Sequence, residues 1–272
     1  KSIQKEYPGF NIVGEEWSYN PIRIAYWQEG NNNKDGYKSN LKSTMDFAMQ
    51  KAIFEGIYEE ENWNTGLIKI YENLANDFYY ADPKSLLIFN DNHDMSRIFT
   101  QMKEDVSKTK MAVSLMLTLP RIPQILYGTE ILMEDSAKPG DHGLIRTDFP
   151  GGWKNDKSNA FTGYNLENSQ LEMQNYLKTL LNFRKNSKAI HEGETLHYAP
   201  KDGVYLLSRK HEDEIVIYVV NKNNKTVNLD TDRFIEIDAN GKIFTDIHTD
   251  KTYKWSGKIQ IKNNSSFILT NK

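Results

Sequence analysis

Leu86-Leu87-Ile88-Phe89-Asn90-Asp91-Asn92-His93-Asp94 runs from four apolar residues straight into five polar ones. A short continuous apolar run suits a strand buried on both faces, and polar groups crowded onto its end suit a loop leaving the C-terminal edge of a parallel sheet. The same arrangement recurs along the chain. Phe10-Asn11-Ile12-Val13 ends at Gly14 and leads into Glu15-Glu16-Trp17, and Ile122-Pro123-Gln124-Ile125-Leu126-Tyr127 ends at Gly128. A weaker strand is expected near Thr44 to Phe47. Helical periodicity fills the intervals, over Ala48 to Tyr58, Gly66 to Phe78, Lys108 to Leu119 and Leu166 to Lys188. Strands alternating with helices predict an α/β domain over residues 1–193, with its chemistry at the strand tips.

Beyond Gly193 the period changes from helical to twofold. Gly203 to Arg209, Glu214 to Asn221, Thr226 to Leu229, Phe234 to Ile237, Lys258 to Ile261 and Ser266 to Thr270 read as strands. Turn signals such as Asp238-Ala239-Asn240-Gly241 separate them, so residues 194–272 predict an all-β sandwich with a core of its own.

Composition narrows the function classes. The chain has 272 residues, 38% of them hydrophobic and 26% charged, which fits packed domains and not a disordered segment. A net charge of −3 without a basic stripe argues against nucleic acid as a partner. The longest apolar run, Met111 to Leu119, is far short of the ~20 residues of a membrane span, so no span is expected. Cysteine is absent, which excludes disulfides and thiolate chemistry and leaves the compartment open. Fifteen Tyr and five Trp supply rings that stack on sugar faces, a role that competes with ordinary core packing. The N-terminal Lys1-Ser2-Ile3-Gln4-Lys5 has neither an apolar signal region nor an initiator Met, and the chain is expected to be cut from a longer one.

Two clusters carry the chemistry. A carboxylate such as Glu15, at a strand tip beside the Trp17 indole, can lose solvent and serve as a general acid; the same residue type also caps helices. His93 beside Asp94 can hold a hydroxyl while the carboxylate supports oxocarbenium-like charge; a capped turn or a metal-site fragment uses the same residue types. Glu15 and Asp94 lie 79 positions apart, the length of two βαβ steps of ~30 or more residues each.

Gly14-Glu15-Glu16-Trp17 resembles the acid/base motif of the α-amylase family, Phe89-Asn90-Asp91-Asn92-His93-Asp94 its later Asn-His-Asp motif, and Ile122 to Glu130 its eighth barrel strand. Gly140-Asp141-His142-Gly143 and Ile145-Arg146-Thr147-Asp148-Phe149-Pro150-Gly151-Gly152-Trp153 are similar to the neopullulanase and cyclomaltodextrinase branch, starch-utilisation enzymes of Bacteroidetes included. The resemblance implies strands five to eight of a (β/α)8 barrel followed by the sandwich. It implies Glu15 as general acid/base, Asp94 as the transition-state carboxylate and His93 as a hydroxyl-binding group, with Trp17 and Tyr127 lining the site. Arg146 and Asp148 are substrate-binding candidates; the alternative is a loop pinned by Trp153 and an Arg-Asp ion pair. Glu16 is expected to press on Glu15 by its charge, and the remaining histidines, among them His142, His197 and His248, to be surface or loop residues without metal-ligand spacing.

The family's fourth-strand nucleophile motif, Gly-x-Arg-x-Asp, has no counterpart here. A retaining glycosidase needs two carboxyl groups ~5–5.5 Å apart, so this chain alone is expected to be inactive and to require its N-terminal half as partner. The resemblance implies a parent that hydrolyses α-1,4 or α-1,6 bonds of α-glucan oligosaccharides or cyclodextrins, in a bacterial periplasm or outside the cell, with the cytoplasm as the alternative. No cofactor is evident; calcium in the parent stays open, because relatives bind it while no Asp-x-Asp loop occurs here. The contrasting reading is a non-catalytic, glycan-binding subunit.

Overall fold

The computed structural model describes all 272 residues, Lys1 to Lys272. After helix α1 (Ser2–Glu6) the first part alternates strands and helices. In order these are β1 (Val13–Gly14), α2 (Pro21–Tyr26), β2 (Ser43–Thr44), α3 (Phe47–Tyr58), α4 (Ile68–Ala75), β3 (Leu87–Ile88), α5 (Ile98–Gln101), α6 (Val106–Thr118), β4 (Ile122–Pro123), α7 (His142–Ile145), α8 (Asn168–Asn186) and α9 (Lys188–Glu192). Val13 lies opposite Ser43, Met45 bridges Leu87, and Leu87 lies opposite Ile122, all parallel, so the strands neighbour one another in chain order.

Local chemistry sets the helix boundaries. Asp46 and Asp105 cap α3 and α6 by accepting the Met49 and Lys108 N–H groups at 3.0 Å each. Glu167 and Gln170 form a reciprocal capping box at the start of α8, and Pro120 stops α6. Behind the sheet the fully buried Arg121 holds Asp46 at 3.0 Å and also pairs with Asp77, which ties β4 to the starts and ends of its neighbouring helices.

The inner face differs from expectation. The apolar run Phe10 to Val13 predicts a buried strand, yet only Val13 and Gly14 pair, and Phe10 is 57% exposed. Phe10, Ile12, Val13, Leu87 and Ile122 face a hollow of about 600 Å³ instead of opposing strands, which leaves the apolar pattern without its burial.

The second part holds β5 (Glu194–Lys201), β6 (Val204–His211), β7 (Glu214–Asn221), β8 (Val227–Asp230), β9 (Ile243–Asp246), β10 (Thr252–Lys254), β11 (Lys258–Ile261) and β12 (Ser265–Thr270). Six of them form an antiparallel sheet ordered β10-β9-β12-β7-β6-β5, and β8 with β11 forms the facing layer. Phe234 to Ile237, expected as a strand, belongs to a 3₁₀ segment, Thr231–Ile237, that Asp230 caps through the Asp232 N–H at 3.1 Å. Its alternating apolar residues plug the core: Phe234 and Ile237 sit between the layers with Trp255 and Phe244.

Both faces of the central strands β6 and β7 are buried. Val204, Leu206, Ile215, Ile217 and Val219 pack into the sandwich, whereas the alternate residues Tyr205, Leu207, Val216, Tyr218 and Val220 join one core with Met49, Leu115 and Leu177 of α3, α6 and α8. The sandwich therefore has an inner core of its own, while the outer face of its sheet is shared with the helices of the first part. Tyr218 Oη donates to the Met111 carbonyl at 3.0 Å across this seam. Lys222 Nζ donates to the carbonyls of Gly56 at 2.7 Å and Glu59 at 2.5 Å, and its burial lowers its pKa. At the joint itself a Cβ on Gly193 would stand 2.3 Å from the Ala189 oxygen and 2.8 Å from the Lys210 oxygen, so no side chain fits.

Candidate active site

Glu15 leaves the C-terminal end of β1 and is solvent-exposed. The Trp17 ring beside it does not enclose the carboxylate; it stacks on Phe47 with centroids 4.7 Å apart. Glu16 turns the other way, to Arg23 at 3.1 Å and the Trp27 Nε1–H at 2.9 Å, so a cation answers its charge.

Two strands along, the tip of β3 carries His93 and Asp94. At ~4.7–4.9 Å per strand, the β1 and β3 backbones lie roughly 9–10 Å apart along the sheet, which places both carboxylates on one edge. The Asn92 side chain accepts the Asp94 N–H at 2.8 Å and sets the turn. His93 Nε2 lies 3.4 Å from one Asp94 oxygen, and Arg146 Nη2 lies 2.5 Å from the other. Arg146 also donates from Nε to the His93 carbonyl at 2.9 Å and lies 3.0 Å from His142 Nδ1. Its aspartate partner is thus Asp94 and not Asp148, which is exposed. His142, expected to be an ordinary loop residue, belongs to this cluster.

Tyr127, at the end of β4, forms the wall behind the cluster. Its hydroxyl donates to the Thr147 carbonyl at 2.9 Å and its ring lies 4.8 Å from the Arg97 guanidinium. The long loop after α7 is held by Asp156, which accepts the Gly151 and Trp153 N–H groups at 2.7 and 3.0 Å; Trp153 itself is exposed and pins nothing. Asp141 caps α7 and pairs with Lys138 at 2.7 Å, which holds its carboxyl below the usual range.

Sequence reasoning missed the residues that hold these loops in place. Arg97, completely buried, donates to the Ile145 carbonyl through Nε at 3.0 Å and Nη2 at 2.6 Å and to the Tyr127 carbonyl through Nη1. One side chain thus joins the loops after β3 and β4 to the C-terminal end of α7. Asp135 accepts the Arg97 N–H at 3.0 Å, and Asp91 accepts the Ile98 N–H at 2.6 Å while burial pushes its carboxyl up to about 6. A basic residue three positions after Asp94 was the available signal. No group of three or more His, Asp or Glu side chains converges in this chain.

Comparison with known proteins follows the same division. Residues 1–193 match the alpha amylase catalytic domain, and residues 195–270 match the cyclo-malto-dextrinase C-terminal domain. The chain belongs to the α-amylase family. Alpha-amylase 3 of Dictyoglomus thermophilum is 28% identical over 256 residues, covering 85% of this chain and 46% of that protein. A cyclomaltodextrin glucanotransferase of Paenibacillus macerans is 25% identical over 182 residues, covering 67% of this chain and 22% of that protein. The chain spans less than half the length of these curated relatives. Among solved structures, the α-amylase of Geobacillus thermoleovorans complexed with acarbose superposes with a TM-score of 0.74 at 21% identity, over 98% of this chain and 54% of that one. The cyclic α-maltosyl-(1→6)-maltose hydrolase of Arthrobacter globiformis gives 0.71 at 18% identity, over 99% and 51%. The fold of this α-amylase-family chain is half of a (β/α)8 barrel joined to an antiparallel sandwich.

Proposed function

We propose that the chain supplies the acid/base half of a retaining α-glucan hydrolase that cleaves α-1,4 bonds, with α-1,6 as the alternative linkage, in maltooligosaccharides or cyclodextrins. The observation that carries this reading is the placement of Glu15 at the tip of β1 and the His93–Asp94–Arg146 cluster at the tip of β3, on one edge of one parallel sheet. Glu15 protonates the departing glycosidic oxygen. Asp94, oriented by Arg146, stabilises positive charge developing at the anomeric carbon, and His93 holds a neighbouring hydroxyl. Trp17 and Tyr127 shape the walls, and Asp148 is free to meet a sugar hydroxyl beyond them. The attacking carboxylate comes from an N-terminal half that closes the hollow against β1 to β4; water then releases the sugar with Glu15 as base. The chain alone does not turn over. A periplasmic or secreted bacterial setting suits a polymer-degrading enzyme of this kind.

The test is a reducing-sugar assay on the chain mixed with a separately produced N-terminal half. Glu15→Gln abolishes release from unactivated glucans but spares substrates whose leaving group needs no proton, and azide partly restores the second step. Wild-type rates in the variant overturn the assignment. A mixture that binds glucan without ever hydrolysing it favours the non-catalytic reading.

A further inference from the structure

Trp63 stands 93% exposed at the tip of the loop between α3 and α4. An indole left in water costs solvation, and nothing in the loop requires one there. The loop itself is built firmly: Asn62 and Thr65 pair across the turn, Thr65 Oγ1 donates to the Glu60 carbonyl at 2.8 Å, and the Leu67 N–H donates to Glu61 at 3.1 Å. From the second domain Lys222 reaches the same Glu61 carboxylate at 2.7 Å.

The indole borders a groove. Its first part, about 450 Å³, runs between the Trp63 loop and the Pro200–Gly203 turn that links β5 to β6. Glu61, Lys201, Asp202 and Gly203 also line a second hollow of about 640 Å³, which adjoins the first across these residues. The Asp202–Gly203 turn is held in place by Asn223, whose side chain donates to the Asp202 carbonyl at 2.7 Å. None of these residues belongs to the strand-tip cluster.

We propose that this groove is a second carbohydrate site, taking a neutral α-glucan chain with a glucose ring stacked on Trp63. The chemistry of the lining selects the ligand. One flat apolar ring beside acidic, amide and ammonium groups matches a pyranose, which is apolar on its face and carries hydroxyls around its rim. The Glu72 and Asp202 carboxylates are exposed and hold no ion pair within the chain, so they can accept vicinal hydroxyls. Acidic residues outnumber the single cation, Lys201, in the first hollow, which disfavours phosphorylated or carboxylated sugars. The apolar lining there amounts to Trp63 and Ile68, too little for the core of a protein interface. The choice of α-glucan rests on the proposed function.

Calorimetric titration of the 272-residue chain with maltoheptaose tests the site. Binding is expected in the wild type and in Asp94→Asn, and weakened ~10-fold or more in Trp63→Ala, the loss typical of removing a stacked aromatic anchor. Asp202→Ala, on the opposite wall, weakens it severalfold, and both variants keep the wild-type melting temperature. Unchanged affinity in Trp63→Ala overturns the proposal, as does binding that disappears with Asp94→Asn instead. A reconstituted enzyme that hydrolyses glucan while Trp63→Ala binds like wild type sinks the groove and leaves the hydrolase reading standing. Trp63-dependent binding of cellohexaose in preference to maltoheptaose overturns the α-glucan class.

Discussion

The sheet formed by β1 to β4 and the sheet centred on β7 are both rich in apolar residues, yet one face of the first stays open while the second is covered on both sides. All eight residues of β7 are buried, because α3, α6 and α8 lie on one face and the β8–β11 layer on the other. In the first sheet Arg121 and the helices secure the outer face, but Phe10, Val13 and Ile122 remain exposed within. Apolar sequence is therefore not the same as buried area; a side chain contributes through the neighbours that remove it from water.

The contrast can be broken most strongly at Tyr218. Tyr218→Ala removes a fully buried ring and the bond to Met111, and should cost ~3–5 kcal/mol in urea unfolding, in the range of aromatic truncations in cores. An effect below ~1 kcal/mol would mean that the sheet and the helices are not packed as one body. Lys222→Met should cost less, ~1.5–3 kcal/mol, the usual worth of hydrogen bonds to a charged group, since it releases the α3 carbonyls and Glu61 together. Faster proteolysis near residues 190–200 in this variant, where helix gives way to strand, would sharpen the picture of Lys222 as the tether.

Acid should loosen the same seam. His248 stacks on Tyr176 at 3.7 Å, and burial, followed by the Lys110 charge, pushes its pKa down to about 4. Unfolded histidine takes its proton near ~6.5, so between these values the unfolded chain binds more protons. The stabilisation is complete above about 6.5 and is lost as the pH falls toward 4. Buried Asp91, raised to about 6, acts in the opposite direction over an overlapping window. The clean measurement is therefore the difference between wild type and His248→Phe, which should move in favour of the variant on acidification as the histidine gains its cost. A difference independent of pH would deny the histidine this role. The smallest effect belongs to the open face. Phe10→Ala should change stability by no more than ~0.5 kcal/mol in the chain alone, as for ordinary surface positions. The same substitution should weaken assembly with the N-terminal half.

Much of this architecture was legible because backbone periodicity is local. The alternation of strands and helices, the change near Gly193 and the polar strand ends at Glu15 and Asp94 all follow from residues adjacent in sequence. What escaped depends on reach. Arg97 bonds Ile145, 48 positions away, and nothing near Arg97 announces that partner. His142 enters the site only through Arg146, and the partners of Glu16, Arg23 and Trp27, lie 7 and 11 positions further on. β5, β9 and β10 went unread because they are short or mix polar residues with few branched ones, and they become strands by pairing with stronger neighbours. Phe234 to Ile237 misled in the opposite way, since alternating apolar residues also suit a short 3₁₀ plug.

Gly193 has a mechanical consequence. The chain passes from α9 to β5 through a gap in which the nearest oxygens leave no space for even one methyl group, and its own N–H is bonded to Ala189 at 3.1 Å. A joint with slack would let the sandwich swing and would tolerate inserted residues; a joint this tight behaves as a weld, passing any tilt of the sandwich directly into the helices behind β3 and β4. Flexible segments spliced in at this position should therefore be poorly accepted, and new termini or fusion partners are better placed at the exposed Asn224–Lys225 pair than at the seam.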